Sequence, residues 1–376
     1  MSDIPKVHDA VVLTGLTEDK QLTKICKIPT VGPVPHNRII VKVKAAALNP
    51  YDWKDILAEW GEKGDVVGCD GAGVVAAVGS QIDNFQVGDH VSFLTQGGYK
   101  PIPSQGALQD YAVVNPDLTI KYDRKLLSSD KSSSGKVFSF EGAASITLSL
   151  ITVGYSFQHN MHLDLDKKAN KGKLILIWGG ATATGIQAIQ VAKNLYGLTV
   201  VTVASLKHHK WLKDHGADYT FDYHDSDVLD QMKKLLKDNL TLALDTVSST
   251  TTYRYCYQLM SSTQPAILDN LLSLGNDTVK DLPDKHNVSL TGVLAFSASG
   301  DDIFLNKSKV PGSKEALNHH LIFWKVAIAA VNSGLIVHPP LTILSGGYNA
   351  VNEGYSILRS GSVSAEKLII RPEETV

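Results

Sequence analysis

The chain has 376 residues, more than one hydrophobic core usually serves, so two domains are expected. Its composition, 43% hydrophobic and 20% charged, argues against extensive disorder, and 36 basic against 38 acidic residues leave a net charge of -2 that calls for neither nucleic acid nor an anionic membrane. The opening MSDIPKVHDAVVL lacks the charged and apolar regions of a secretory signal, and no apolar run approaches the roughly 20 residues of a bilayer span.

The 3 cysteines, Cys26, Cys69 and Cys256, are scattered, which argues against a disulfide framework and a multi-cysteine zinc lobe. A cytoplasmic, reducing setting is the expectation, and the N-x-S/T triplets at Asn239, Asn276, Asn287 and Asn306 then read as chance matches. From Ala10 to about Leu150 short strands alternate with Gly, Pro and Asn turns. Residues 38–45 alternate as a half-buried strand should. The glycine-rich GCDGAGVVAAVG, residues 68–79, reads as a sharply bent strand with close backbone approach. Residues 87–91 turn into another strand and residues 106–114 form a further one, which makes an all-β module, a partly open barrel. KSSSGK, residues 131–136, reads as a polar turn or small linker.

The chain is organised around residues 173–197, KLILIWGGATATGIQAIQVAKNLYG. Leu174 to Trp178 is an apolar run suited to a buried parallel strand. A glycine pair follows, then a segment with Ile186, Ile189, Ala192 and Leu195 at helical spacing, closed by Gly197. Strand, glycine turn and helix in that order describe the first half of a dinucleotide-binding unit, in which backbone N–H groups at the helix start receive a pyrophosphate. Gly180, Ala181, Thr182, Ala183, Thr184 and Gly185 are the candidate contacts. Gly180 and Gly185 match the first and third glycines of G-x-G-x-x-G, and Thr182 stands where the second belongs; its hydroxyl is expected to assist the backbone.

Residues 198–204 form the second strand. NAD-selective enzymes close this strand with an acid that binds the ribose 2′-OH. Here Ala204-Ser205-Leu206-Lys207-His208 follows, with no acid. Ser205 can donate to a 2′-phosphate and Lys207 can offer it a point charge, so NADPH is expected ahead of NADH, with dual use open. His208 is grouped with these contacts, although with His209 it also reads as a surface group. A polar-faced helix over 225–237, a strand over 242–247, a helix over 250–260 and a last strand over 287–296 complete a doubly wound parallel sheet, giving an α/β chain. An amphipathic helix over 315–332, a helix over 349–361 and a strand over 367–370 close it.

The AAALNPYDWK segment at 45–54, the glycine-rich 68–79, GDHV at 88–91 and WGGATATG at 178–185 resemble, in this order, the medium-chain dehydrogenase/reductase superfamily. The resemblance spans essentially the whole chain. It implies a GroES-like domain at 1–150 and 304–376 and a Rossmann NADP(H)-binding domain at 151–303. Zinc-dependent members carry Cys where Asn49 lies, His where Cys69 lies, and a third Cys near Ala143-Ala144-Ser145. A catalytic zinc needs three converging ligands, so no metal is expected. The best-fitting subgroup is the zinc-free one of quinone oxidoreductases, fungal trans-acting enoyl reductases and related aldehyde reductases.

That resemblance implies a reductase of aldehydes or of α,β-unsaturated carbonyl compounds (enones, enoyl groups, quinones) working at an interdomain cleft. Lys54 and Tyr51 are its candidate proton donors, Asp52 an acid that orients Lys54 or a cofactor ribose, and Thr147 a partner for a carbonyl. Tyr223 resembles a position that contacts the 2′-phosphate, Phe296 one that borders the nicotinamide, and Ser364 one near the cofactor. Asp52 also reads as a helix cap, Lys54 as a surface lysine, and Phe296 as core. A trans-acting enoyl reductase serving a polyketide synthase and a catalytically silent NADPH-binding sensor are the alternatives. A monomer or homodimer acting on a small molecule is expected.

Overall fold

The computed structural model describes residues 4–15, 21–98, 105–305 and 307–376; Asn306 of the triplets lies outside them. Contacts group the chain into two units. One holds Met1–Leu148, Phe296–Leu317 and Ile328–Val376; the other holds Ser149–Ala295 and Asn318–Ala327. The chain re-enters the first unit at Phe296, earlier than the 303/304 junction expected from sequence, because the last strand of the second unit stops at Gly292 and the chain coils into a 3-10 turn over Ala295–Ser299.

The first unit begins with an antiparallel pair, β1 (Val7–Leu13) and β2 (Thr23–Pro29). Then come β3 (Ile39–Ala47), β4 (Asp70–Val78), β5 (His90–Leu94), β6 (Tyr111–Val114) and β7 (Thr119–Lys121). The bent strand expected at 68–79 is β4. A side chain at Gly73 would strike the Lys42 carbonyl oxygen at 2.0 Å, and one at Gly71 the Phe93 ring at 2.4 Å. Glycine therefore lets β3 and β5 close tightly on β4, and the β3–β4 register shifts twice along the pair. The strand expected at 106–114 is confined to β6. KSSSGK is part of this unit rather than a linker between units: Gly135 bridges His338, and Leu341 N donates to the Ser132 carbonyl.

The second unit carries β8 (Leu174–Trp178), β9 (Thr199–Val203), β10 (Tyr219–Phe221), β11 (Leu242–Asp245), β12 (Ala266–Asn270) and β13 (Val288–Gly292). They pair in parallel in the order β10-β9-β8-β11-β12-β13. The order reverses between β8 and β11, the topological switch point at which open α/β sheets bind ligands. β12 is not expected from the sequence, since a run as short as AILDN carries too little periodicity to separate strand from loop. Strands β8, β9 and β11 are almost wholly buried, as a sheet covered on both faces requires.

The chain then returns to the first unit through β14 (Ile303–Leu305) and β15 (Ser308–Val310), and later β16 (Leu341–Leu344) and β17 (Lys367–Ile370). Strand β17 joins β3 antiparallel and completes the barrel-like order β16-β17-β3-β4-β5-β7, with β6 also on β3. This seating brings Lys367 against residues more than 290 positions earlier in the chain.

Candidate functional site

In the second unit, β8 ends at the switch point and the chain turns through Gly179, whose φ of +84° suits glycine. Gly179 is thus the left-handed residue of the turn. Gly180 instead lies where a Cβ would meet the Thr202 hydroxyl at 2.1 Å. Gly185 presses the new helix onto its own turn, since a Cβ there would lie 2.2 Å from the Gly179 carbonyl oxygen.

Thr182 is the N-cap of the helix Ala183–Val191 and accepts the Gly185 N–H at 2.9 Å. Its own proton goes to Thr246 Oγ1 at 2.8 Å, because Thr246 donates to the Trp178 carbonyl at 2.7 Å. The expectation that the Thr182 hydroxyl assists a pyrophosphate is therefore corrected: the single proton it has is spent on holding β8 to β11. Among the described residues, the backbone N–H groups of Ala181, Ala183 and Thr184 have no acceptor in the chain. These are the unfilled donors of a helix N-terminus at which an anionic group is favoured.

Beyond the end of β9, Ser205 Oγ donates to the Tyr223 hydroxyl at 2.8 Å, so two residues 18 positions apart meet as one polar edge. Lys207, two residues on from Ser205, is exposed. His208 contributes less charge than its residue type suggests, because burial, then Lys207 and His209, hold its proton affinity below the usual histidine range. An acid also reaches this edge, contrary to the linear reading. Asp222, one residue past β10, accepts the Leu206 N–H through Oδ2 at 3.1 Å and pairs with His224 Nδ1 through Oδ1 at 2.7 Å. The end of β9 carries no acid; this one is delivered by the neighbouring strand, a pairing that position along the chain does not reveal.

In the first unit, the helix Pro50–Leu57 starts at Asn49, and Asp52 reaches back to accept the Asn49 N–H at 2.8 Å. Asp52 therefore caps the helix rather than orienting Lys54, two positions on and facing another way. Its Oδ1 is buried without a geometric hydrogen-bond partner among the described residues, the Cys69 thiol acts on the same carboxyl, and burial pushes that carboxyl up to about 7. Lys54 stands over the Trp53 ring, 5.7 Å from its centroid, and burial lowers the proton affinity of its ammonium.

Tyr51 packs edge-on against Phe296 at 5.0 Å, hydrogen-bonds Asp55, and accepts a long contact from Gln96 Nε2 at 3.4 Å. Burial raises its phenol well above the usual tyrosine range and moves Asp55 up to about 7. Gln96, Phe296 and Phe304 line a cavity of about 370 Å³ in this unit. Thr147 does not face it. Thr147 is fully buried and donates to Ser92 Oγ at 2.8 Å, which in turn meets the Tyr122 hydroxyl at 2.9 Å, so it cannot serve as a substrate partner in this arrangement. Ser364 is exposed on the approach to β17.

Behind Asn49 lies a buried charge cluster. Lys367 Nζ contacts Asn49 Oδ1 at 2.5 Å and Asp70 Oδ2 at 3.2 Å; Asn49 Nδ2 donates to the same Asp70 oxygen at 3.1 Å, and Leu148 N to its Oδ1 at 2.7 Å. Burial raises the Asp70 carboxyl, with Lys367 opposing that rise. Cys69 is fully buried and its thiol is pushed far up by burial and by Asp52. This donor set does not fit zinc. An ammonium already occupies the Asn49 oxygen, the one thiol resists ionisation, and among the described residues no three ligating side chains converge.

Because Asp52 and Asp55 titrate near 7 in the fold but near 3.8 in the unfolded chain, the folded state holds more protons between those values. Stability should therefore fall as pH rises from about 4 to about 7. Asp52→Asn is expected to flatten that slope and to raise stability at pH 8 by about 2–4 kcal/mol. Urea titrations at pH 5 and pH 8 read both values, and a wild-type protein more stable at pH 8 would contradict the assignment.

Stretches of both units match known protein families. Residues 35–124 match the family model of the alcohol dehydrogenase GroES-like domain, and residues 183–266 match that of the zinc-binding dehydrogenases. The chain belongs to the medium-chain dehydrogenase/reductase superfamily, a family of oxidoreductases that bind a nicotinamide cofactor. It is 34% identical over 377 residues to the uncharacterized protein YNL134C of Saccharomyces cerevisiae, covering 98% of each chain. It is 30% identical over 349 residues to the trans-enoyl reductase ACTTS2 of Alternaria alternata, covering 90% of this chain and 94% of that one. Among solved structures, a putative zinc-dependent alcohol dehydrogenase from Rhizobium etli CFN 42 shares the fold, with a TM-score of 0.76 at 22% identity over 98% of this chain and 99% of its own. Among the described residues no helix is long and apolar enough to cross a membrane.

Proposed function

We propose that the protein is an NADPH-dependent, zinc-independent reductase of aldehydes or α,β-unsaturated carbonyl compounds. The observation that carries this reading is the set of unfilled N–H donors at Ala181, Ala183 and Thr184, continued past β9 by the Ser205–Tyr223 edge and Lys207. NADPH bound there would supply the hydride. The N–H groups would receive the pyrophosphate, and Lys207 and the Tyr223 hydroxyl, which Ser205 holds in place, would receive the 2′-phosphate. In the first unit Asp55, pushed up to about 7, can carry the proton of its hydrogen bond with Tyr51, and in that state the un-ionised Tyr51 hydroxyl would be free to donate to the substrate oxygen as charge develops on it. Lys54, half-buried and without a carboxylate partner among the described residues, is the second donor.

Oxidation of NADPH followed with an aldehyde, an enone and a quinone tests the reading and separates its branches; turnover of none would overturn it. Lys207→Ala is expected to raise KM for NADPH about tenfold and leave that for NADH within twofold, since one charge-assisted contact to a phosphate contributes roughly 1.5 kcal/mol. Equal losses with both cofactors would remove Lys207 from the 2′-phosphate site. The likeness to the trans-enoyl reductase ACTTS2 favours one second reading, reduction of an enoyl group presented by a partner synthase. Activity on carrier-bound but not free enoyl thioesters would select it.

A further inference from the structure

Asp222 poses a physical problem for a site that receives a phosphate. It is a carboxylate whose Oδ2 lies 3.1 Å from the N–H of Leu206, next to Ser205, and burial does not neutralise it: hydrogen bonds hold it below the usual carboxylate range. An unscreened charge there would repel a 2′-phosphate. Its partners supply the answer. Oδ1 accepts the His224 backbone N–H at 3.0 Å and pairs with the His224 ring at 2.7 Å, while Oδ2 takes the Leu206 N–H. Three donors from two different turns converge on one carboxylate. The ring of His224 also lies against Tyr223, with centroids 4.2 Å apart. Asp222 thereby ties the turn after β9 to the turn after β10. The Ser205–Tyr223 hydrogen bond of 2.8 Å spans those same two turns.

We propose that Asp222 and His224 are positioning residues for the 2′-phosphate site: the pair clamps the two turns together so that Ser205 and Tyr223 present one edge, and it screens the carboxylate that does the clamping. The inference rests on the NADPH reading above. It assigns a favourable role to an acid that simple charge counting would score against NADPH. The two views differ in sign. If Asp222 acts mainly as a negative charge near the phosphate, removing it tightens NADPH. If it acts as a clamp, removing it weakens NADPH and spares NADH, which lacks the 2′-phosphate.

Calorimetric titration of the full chain with NADPH, NADH, adenosine 2′,5′-bisphosphate and 5′-AMP separates these outcomes without reference to turnover. Asp222→Asn keeps the size of the side chain but one of its two acceptor oxygens only. It is expected to weaken NADPH and the bisphosphate about tenfold, with NADH and 5′-AMP within twofold. His224→Gln is expected to shift the same ratio in the same direction by less. Tighter NADPH binding in Asp222→Asn, or equal losses for all four ligands, would overturn the clamp. If the unaltered protein fails to distinguish the bisphosphate from 5′-AMP, the NADPH reading itself falls and the clamp with it. A preserved wild-type preference that Asp222→Asn leaves untouched would sink the clamp alone.

Discussion

Replacing Lys367 with methionine is expected to destabilise the protein by about 3–5 kcal/mol. The side chain of Lys367 is 4% exposed and that of Asp70 is 0% exposed, so water cannot take over the lost counter-charge. Asn49 Nδ2 and Leu148 N would still donate to Asp70, but neither carries a charge. Two further results distinguish an unpaired charge from a packing defect. Lys367→Met combined with Asp70→Asn should recover most of the loss, because exchanging both members of a buried pair for neutral groups is far cheaper than breaking it. Lowering the pH should also narrow the deficit of the single variant, since protonating Asp70 removes the stranded charge. Urea titrations of the four proteins of this cycle measure the coupling, and a loss under 1 kcal/mol in the single variant would show that Lys367 is not the counter-ion.

The second large effect is expected at Gly185→Ala, in dinucleotide binding. The added methyl group would lie 2.2 Å from the Gly179 carbonyl oxygen and 2.9 Å from the Gly180 Cα. Both are backbone atoms, so no side chain can swing aside. The helix start must move away from the turn, which displaces the N–H groups of Ala183 and Thr184 and stretches the Thr182 cap. Strain of this kind costs roughly 1–3 kcal/mol, and if cofactor binding must reverse the displacement, affinity falls about 10- to 100-fold. Titration with NADPH, alongside circular dichroism to show a retained fold, reads the effect. Gly135→Ala is the control, since nothing lies within 4 Å of a Cβ there. Unchanged affinity in Gly185→Ala would mean that the turn does not form the pyrophosphate cradle.

Much of this molecule is legible along the chain because local chemistry decides it. The apolar run of β8, the glycine turn and the helix closed by Gly197 at φ +68° are set by residues within 25 positions of one another. The same holds for the alternation of β3 and the glycine-bent β4. The superfamily was likewise readable, since its landmarks are short segments in a given order. β12 was not, for AILDN is short and ends in two polar residues, so it carries neither the apolar run of β8 nor an alternation.

Partners distant in sequence decided the rest. Thr182 is a conventional cap by its position, and only the neighbourhood of β8 and β11 reveals that its proton goes to Thr246. Thr147 is a plausible substrate contact on paper, yet its hydroxyl points at Ser92, 55 positions away. Asn49 and Cys69 announce that two metal ligands are missing, but nothing near them tells that Lys367 fills the gap from the far end of the chain. The sequence by itself therefore determined the two-domain fold, the superfamily and the strand–glycine turn–helix unit, where contacts are short-range and a residue's own propensity dominates. Tertiary structure alone decided which polar groups remain free to meet a ligand, because each hydroxyl, carboxylate or ammonium is committed or available only through the partner that the fold brings to it.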